Sequence, residues 1–115
     1  GVVVAYVRKG SGNNNNGILI TSSDGGTTWQ ETLSLTGEYV SAFLYDTGVF
    51  YFITSEKSVY KSLDGFNWEK FSTAATSTPK FLKRFEDWYY VYSYKTADFV
   101  TWESTVGGED MAVGI

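Results

Sequence analysis

Three tryptophans at near-regular intervals, each closing a similar short segment, constrain this chain more than any other feature. Ser22-Ser23-Asp24-Gly25-Gly26-Thr27-Thr28-Trp29 is echoed by Ser62-Leu63-Asp64-Gly65-Phe66-Asn67-Trp68, and more weakly by Thr96-Ala97-Asp98-Phe99-Val100-Thr101-Trp102. Trp29, Trp68 and Trp102 stand 39 and 34 residues apart, so the unit has about forty residues with one contracted member. Each segment follows a β-prone run such as Gly17-Ile18-Leu19-Ile20-Thr21 or Ser58-Val59-Tyr60-Lys61. A polar-apolar alternation such as Gln30-Glu31-Thr32-Leu33 or Glu69-Lys70-Phe71 comes after it. The spacing predicts two strands around a turn in every copy.

The turn residues have a physical reason. An Asp at the head of a tight turn accepts hydrogen bonds from backbone N–H groups just downstream, with Ser or Thr hydroxyls assisting. Gly25, Gly26 and Gly65 supply positive φ without a Cβ penalty. The Trp that follows folds its ring back over the hairpin as a small hydrophobic knot.

The pattern Ser-x-Asp-x-Gly-x-Thr-Trp resembles the Asp box, or BNR repeat, of sialidases and related β-propellers. Ser22, Asp24, Gly26, Thr28 and Trp29 match every specified position; Ser62, Asp64, Gly65 and Trp68 match a looser variant one residue shorter; the third copy keeps Thr96, Asp98 and Trp102. The resemblance implies an all-β fold of antiparallel four-stranded blades. About three blades fit in the chain, the propeller being completed by another chain or by missing sequence. It also implies that each box joins the third and fourth strands of its blade, away from a catalytic centre. Architecture is carried over by it more securely than activity.

The second unit reads as a full blade, with strands at 39–45, 49–54, 58–62 and 68–71. The third has strands at 81–85 and 88–94 and no clear separate third strand before its box. The first has a strand at 2–8, a polar loop at 9–17 that includes the Asn13 to Asn16 run, and the boxed pair, but no first strand of its own. Approximate blades are therefore 1–35, 36–73 and 74–105, with 106–115 as a closing or exchanged strand. Residues 111–115, Met-Ala-Val-Gly-Ile, are an apolar strand candidate without a blade. Propellers have roughly 4 to 8 blades, so three do not close a ring alone. Two chains making one six-bladed ring, each C-terminal strand completing the other's first blade, is one expectation. An excerpt of a longer propeller is the other, and a chain that begins with Gly is a processed product, a tag remnant or an excerpt.

Composition sets the limits on chemistry. The 115 residues contain no His and no Cys, which removes imidazole- and thiolate-dependent zinc sites, thiol nucleophiles and Ser-His-Asp triads, as well as any disulfide. A net charge of -4 argues against nucleic acid as a partner, and the densest basic cluster, Lys80, Lys83 and Arg84, is followed at once by Glu86 and Asp87. The apolar run at 2–7 is too short to span a bilayer. Sialidases hold their substrate carboxylate with three arginines, and this chain has Arg8 and Arg84 alone. The pairs Glu86-Asp87 and Glu109-Asp110 are unpromising for glycoside hydrolysis, because neighbours on a strand point to opposite faces. Neither Asp24 nor Asp64 sits in a calcium-loop spacing. No cofactor or metal is expected.

An aromatic content of 18% leaves one candidate binding feature. Trp88, Tyr90, Tyr92 and Tyr94 fall on one face of the strand read at 88–94, either as a sugar-stacking platform or as packing between blades. Tyr45, Phe50, Tyr51 and Phe52 are open to the same two readings. The expected function is a non-catalytic binding or structural module on a secreted, cell-surface or virion protein, with a glycan or a protein as ligand. The alternatives are a fragment of a sialidase-like glycoside hydrolase whose catalytic residues lie elsewhere, and a self-assembling subunit using strand exchange.

Overall fold

A computed structural model describes residues 1–9, 15–76, 79 and 81–105, so most of the Asn run's loop and the strand expected at 106–115 lie outside the described residues. The chain is all-β and forms three antiparallel sheets. The first contains β1 (Val3–Lys9), β2 (Asn16–Ser22) and β3 (Gln30–Leu35). The second has four strands, β4 (Val40–Asp46), β5 (Val49–Thr54), β6 (Ser58–Ser62) and β7 (Glu69–Thr73). The third also has four, β8 (Lys83–Phe85), β9 (Trp88–Val91), β10 (Tyr94–Thr96) and β11 (Glu103–Ser104). Strand order follows chain order in each sheet, as in a blade built by successive hairpins.

The third sheet corrects the sequence reading. A run of aromatics from Trp88 to Tyr94 looked like one strand, but the chain turns at Tyr92 and Ser93, where Ser93 takes φ 64°, and Tyr94 pairs back onto Val91. The contracted unit therefore keeps a third strand of its own. Among the described residues β1 is an edge strand of the first sheet, which has three strands where the other two sheets have four.

Alternation along the strands gives every blade two faces, and the core lies between blades. Leu19 and Leu35 from the first blade meet Val40 and Phe52 of the second, with Val4, Leu33, Phe43, Tyr60 and Trp68 packed around them. Ala42, Ile53, Val59 and Ala74 meet Leu82, Tyr89, Val91 and Phe99 of the third. At these two joints each apolar face is covered by the neighbouring blade, which is how a repeat unit that cannot bury its own face becomes stable.

Candidate functional site

The three boxes share one hydrogen-bond design. In the first, the Ser22 hydroxyl donates to Asp24 Oδ1 at 2.7 Å and accepts the Gly26 N–H at 2.8 Å. Asp24 Oδ1 accepts the N–H groups of Thr27 and Thr28 at 3.1 and 2.9 Å, and Oδ2 accepts the Thr28 hydroxyl at 2.6 Å. Asp64 repeats this with the N–H groups of Phe66 and Asn67, both at 2.8 Å, and the Asn67 side-chain amide at 2.7 Å. Asp98 accepts from Val100 and Thr101 N–H, both at 2.8 Å, with the Phe99 N–H donated to Thr96 Oγ1 at 2.8 Å.

These bonds lower all three carboxyls, and hold Asp24 and Asp64 well below the usual carboxylate range: Asp24 chiefly through the Thr28 side chain, Asp64 through the Asn67 N–H and Asp98 through the Thr101 N–H. A carboxylate so engaged is neither a proton donor near neutrality nor open to a metal, and among the described residues no acidic cluster has metal-binding geometry. The depressed native pKa has a stability consequence. The unfolded chain takes up a proton near the ordinary aspartate value of 3.8 while the folded chain resists it, so the turns contribute fully above that pH and lose their contribution as pH falls through the native values. Urea midpoints should hold steady from pH 7 to about 5 and fall below about 4. An Asp24→Asn/Asp64→Asn chain, less stable at neutral pH, should show a flatter acid limb.

The second and third boxes also meet the blade before them. Thr21, the residue preceding the first box, donates its hydroxyl to the carbonyl of Gly65 in the second at 2.6 Å, and Ser72 on β7 donates to the Phe99 carbonyl in the third. The Trp68 indole N–H reaches Thr32 Oγ1 on β3 at 3.2 Å. Trp29 has no such arrangement: its indole N–H donates to Gly26 of its own turn at 3.0 Å, and the residue is 43% exposed.

Gly65 shows how tight the contact is. At φ 81° a Cβ would come within 3.1 Å of Val4 Cγ2, 3.2 Å of Val2 Cγ1 and 3.3 Å of Phe50 Cε2, whereas at Gly25, φ 75°, it would meet open space. Gly25→Ala should therefore cost only the left-handed backbone, about 1–2 kcal/mol. Gly65→Ala should cost that and a displaced β1 besides, read as a larger drop in urea midpoint.

The proposed aromatic platform does not form as one face. Trp88 and Tyr90 lie on the face of β9 opposite buried Tyr89 and Val91, with the Lys95 ammonium 4.3 Å from the Trp88 ring centre. Tyr94, paired with Val91, packs toward the second blade, and Tyr92 sits in the turn. The face of β9 that looks inward carries a polar link instead. Tyr89 donates its hydroxyl to Asp46 Oδ2 at 2.8 Å, and Arg84 pairs with the same oxygen at 2.7 Å. Burial raises the Tyr89 phenol and its hydroxyl lowers Asp46, so the pair joins β4 to the third blade in its neutral-phenol, ionised-carboxylate form.

An apolar groove of about 710 Å³ lies beside the start of β1, lined by Val2, Val3 and Val4, by Phe43, Tyr45 and Phe50 of the second blade, and by Leu63 of its box. Tyr45 is 57% and Leu63 77% exposed. The sequence singled out Tyr45 and Phe50 as ambiguous aromatics but gave no signal for Val2 or Leu63, whose exposure depends on tertiary arrangement. In the second blade β4 pairs with β5; in the first, the equivalent place lies at the edge of β1 that no described strand pairs, next to this groove.

No protein-family model matches the sequence, and no curated protein matches it. Among solved structures the chain is similar to one described as "YCF48 bound to D1 peptide", a β-propeller, with a TM-score of 0.59 at 13% identity. The match covers 88% of this chain and 44% of that one, so the chain spans less than half of that propeller's length. At this identity the likeness is one of fold: the sheets are blades of a partial β-propeller.

Proposed function

We propose that this chain is a non-catalytic β-propeller module of the Asp-box type. It recognises an extended apolar segment of protein by strand addition at β1, on the surface of a secreted, cell-surface or virion protein. One observation carries the reading: among the described residues the first blade has three strands where its neighbours have four, and the edge of β1 that no described strand pairs stands beside an apolar groove. An exposed edge offers backbone N–H and C=O groups to an incoming strand, and pockets beside it select alternate side chains. The propeller structure bound to a peptide supports a protein ligand over a sugar. The non-catalytic part of the reading rests on the three box carboxylates, which are spent on their own turns.

The segment 111–115, Met-Ala-Val-Gly-Ile, has the apolar character the groove calls for, and its donation from a second copy is the occupant we put forward. A fluorescent peptide of residues 106–115 titrated into the full chain tests this by anisotropy. Saturable binding lost in Tyr45→Ala and Leu63→Ala, with a scrambled peptide inert, is the expected result. A glycan array that gives a ligand sensitive to Trp88→Ala and Tyr90→Ala, with the peptide silent, would replace this reading by sugar recognition.

A further inference from the structure

Repeat positions within the chain show what the two ends of the arc are shaped to meet. The residue paired across the sheet with the one preceding each box is Val4 in the first blade, Tyr51 in the second and Tyr90 in the third. Val4 lies against Gly65 of box 2, and Tyr51 stacks on Phe99 of box 3 with ring centres 4.6 Å apart. Gly65 and Phe99 are equivalent, since each donates its N–H to the first hydroxyl of its box, and Gly26 is their counterpart in box 1. The Gly65 and Phe99 carbonyls both accept a hydroxyl from the preceding blade. Among the described residues, the Gly26 carbonyl accepts only the Trp29 indole from its own turn.

Among the described residues the same register defines two open faces. On the first blade Val3, Ala5, Val7, Ile18 and Ile20 share the side opposite Leu19, with Val3 and Val7 exposed. On the third, Phe85, Trp88 and Tyr90 share the side opposite Val91, with Phe85 half exposed. Charge also matches: Lys83 and Lys95 stand on the third blade's face, offset in part by Glu103, while Asp24 lies in box 1 and Glu31 is paired with Ile20. Lys95 precedes its box as Thr21 precedes box 1; Thr21 reaches the Gly65 carbonyl across the first joint, while across the second the donor is Ser72 on β7.

We infer that the open face of the third blade seats on the open face of the first blade of a second copy, and reciprocally, so that two chains close one six-bladed ring. Tyr90 then covers Gly26 and Trp29 of the other copy as Tyr51 covers Phe99, and Lys95 supplies the donor that box 1 lacks. Six blades fall within the range of roughly 4 to 8 in which propellers close. The contact is head-to-tail and the ring has two such joints.

Sedimentation equilibrium of the full chain at micromolar concentration should give twice the 12.8 kDa chain mass. Trp29→Asp and Tyr90→Asp, each altering one face, should each sediment as single chains with an unchanged far-ultraviolet spectrum. Mixed together they should regain the doubled mass, because the intact third blade of one meets the intact first blade of the other. A single-chain mass for the folded wild type overturns the inference, and so does a doubled mass that survives both substitutions. The strand reading is tested apart from this: a Val113→Pro chain that keeps the doubled mass removes strand addition from the assembly and leaves the face-to-face joint standing.

Discussion

Replacing Phe99 with alanine is expected to destabilise the fold by about 3–5 kcal/mol, the range for removing a fully buried aromatic. Its ring is 2% exposed and stands at the centre of the joint between the second and third blades. Ring centres of Tyr89 and Tyr51 lie 4.5 and 4.6 Å away, and those of Phe71 and Trp102 6.0 and 6.1 Å. A domain of this size holds about 5–15 kcal/mol in all, so the variant should be marginal in urea titration at room temperature. The backbone adds a second test. Phe99 holds φ 63°, in the left-handed region, at the position where box 2 has Gly65. Such a conformation costs a non-glycine residue about 1–2 kcal/mol, so Phe99→Gly, although it removes the same ring, should be the milder of the two by about that amount. If alanine proves the milder, packing and backbone have been apportioned wrongly.

Phe52→Ala should cost a similar 3–5 kcal/mol at the other joint. Phe52 is fully buried, stacked on Tyr60 with centres 4.8 Å apart and tilted against Trp68 at 5.3 Å, in the cluster that holds the first blade to the second. The two losses should differ in where they are felt. Phe52→Ala should raise hydrogen exchange in β1 to β3 before β8 to β11, and Phe99→Ala should do the reverse, because stability in a repeat array resides in nearest-neighbour contacts. Equal loss of protection everywhere in both variants would show a single cooperative core instead of two joints.

The boxes were the most legible part of the sequence. A Ser or Thr two residues before an Asp, with small or polar residues and a Trp after it, specifies a turn locally, and all three turns carry that bond pattern. Two features could not be read in the same way. Phe99 replaces the expected glycine because its ring is worth more to the joint than a relaxed backbone, and turn chemistry alone does not reveal such a tertiary override. The third strand of the last blade was hidden because its turn, Tyr92-Ser93, has no Gly, Asn, Asp or Pro to announce it. That error produced the four-aromatic platform: alternation over 88–94 put Tyr94 beside Trp88, while the real turn sends it to the opposite face. The candidate groove was legible only in outline. A first blade short of one strand could be counted from the sequence, but the exposure of Tyr45 and Leu63 depends on how the second blade stands against β1.

Amide hydrogen exchange along β1, Val3–Lys9, is the most direct test of strand addition. It is measured in the full chain and in a Val113→Pro chain, proline removing a ladder donor. The account predicts that β1 amides facing away from β2 are protected in the full chain and lose protection in the variant, while β4 to β7 exchange as before. Exchange in β1 that is fast in both chains, or slow and unchanged by the substitution, would contradict it.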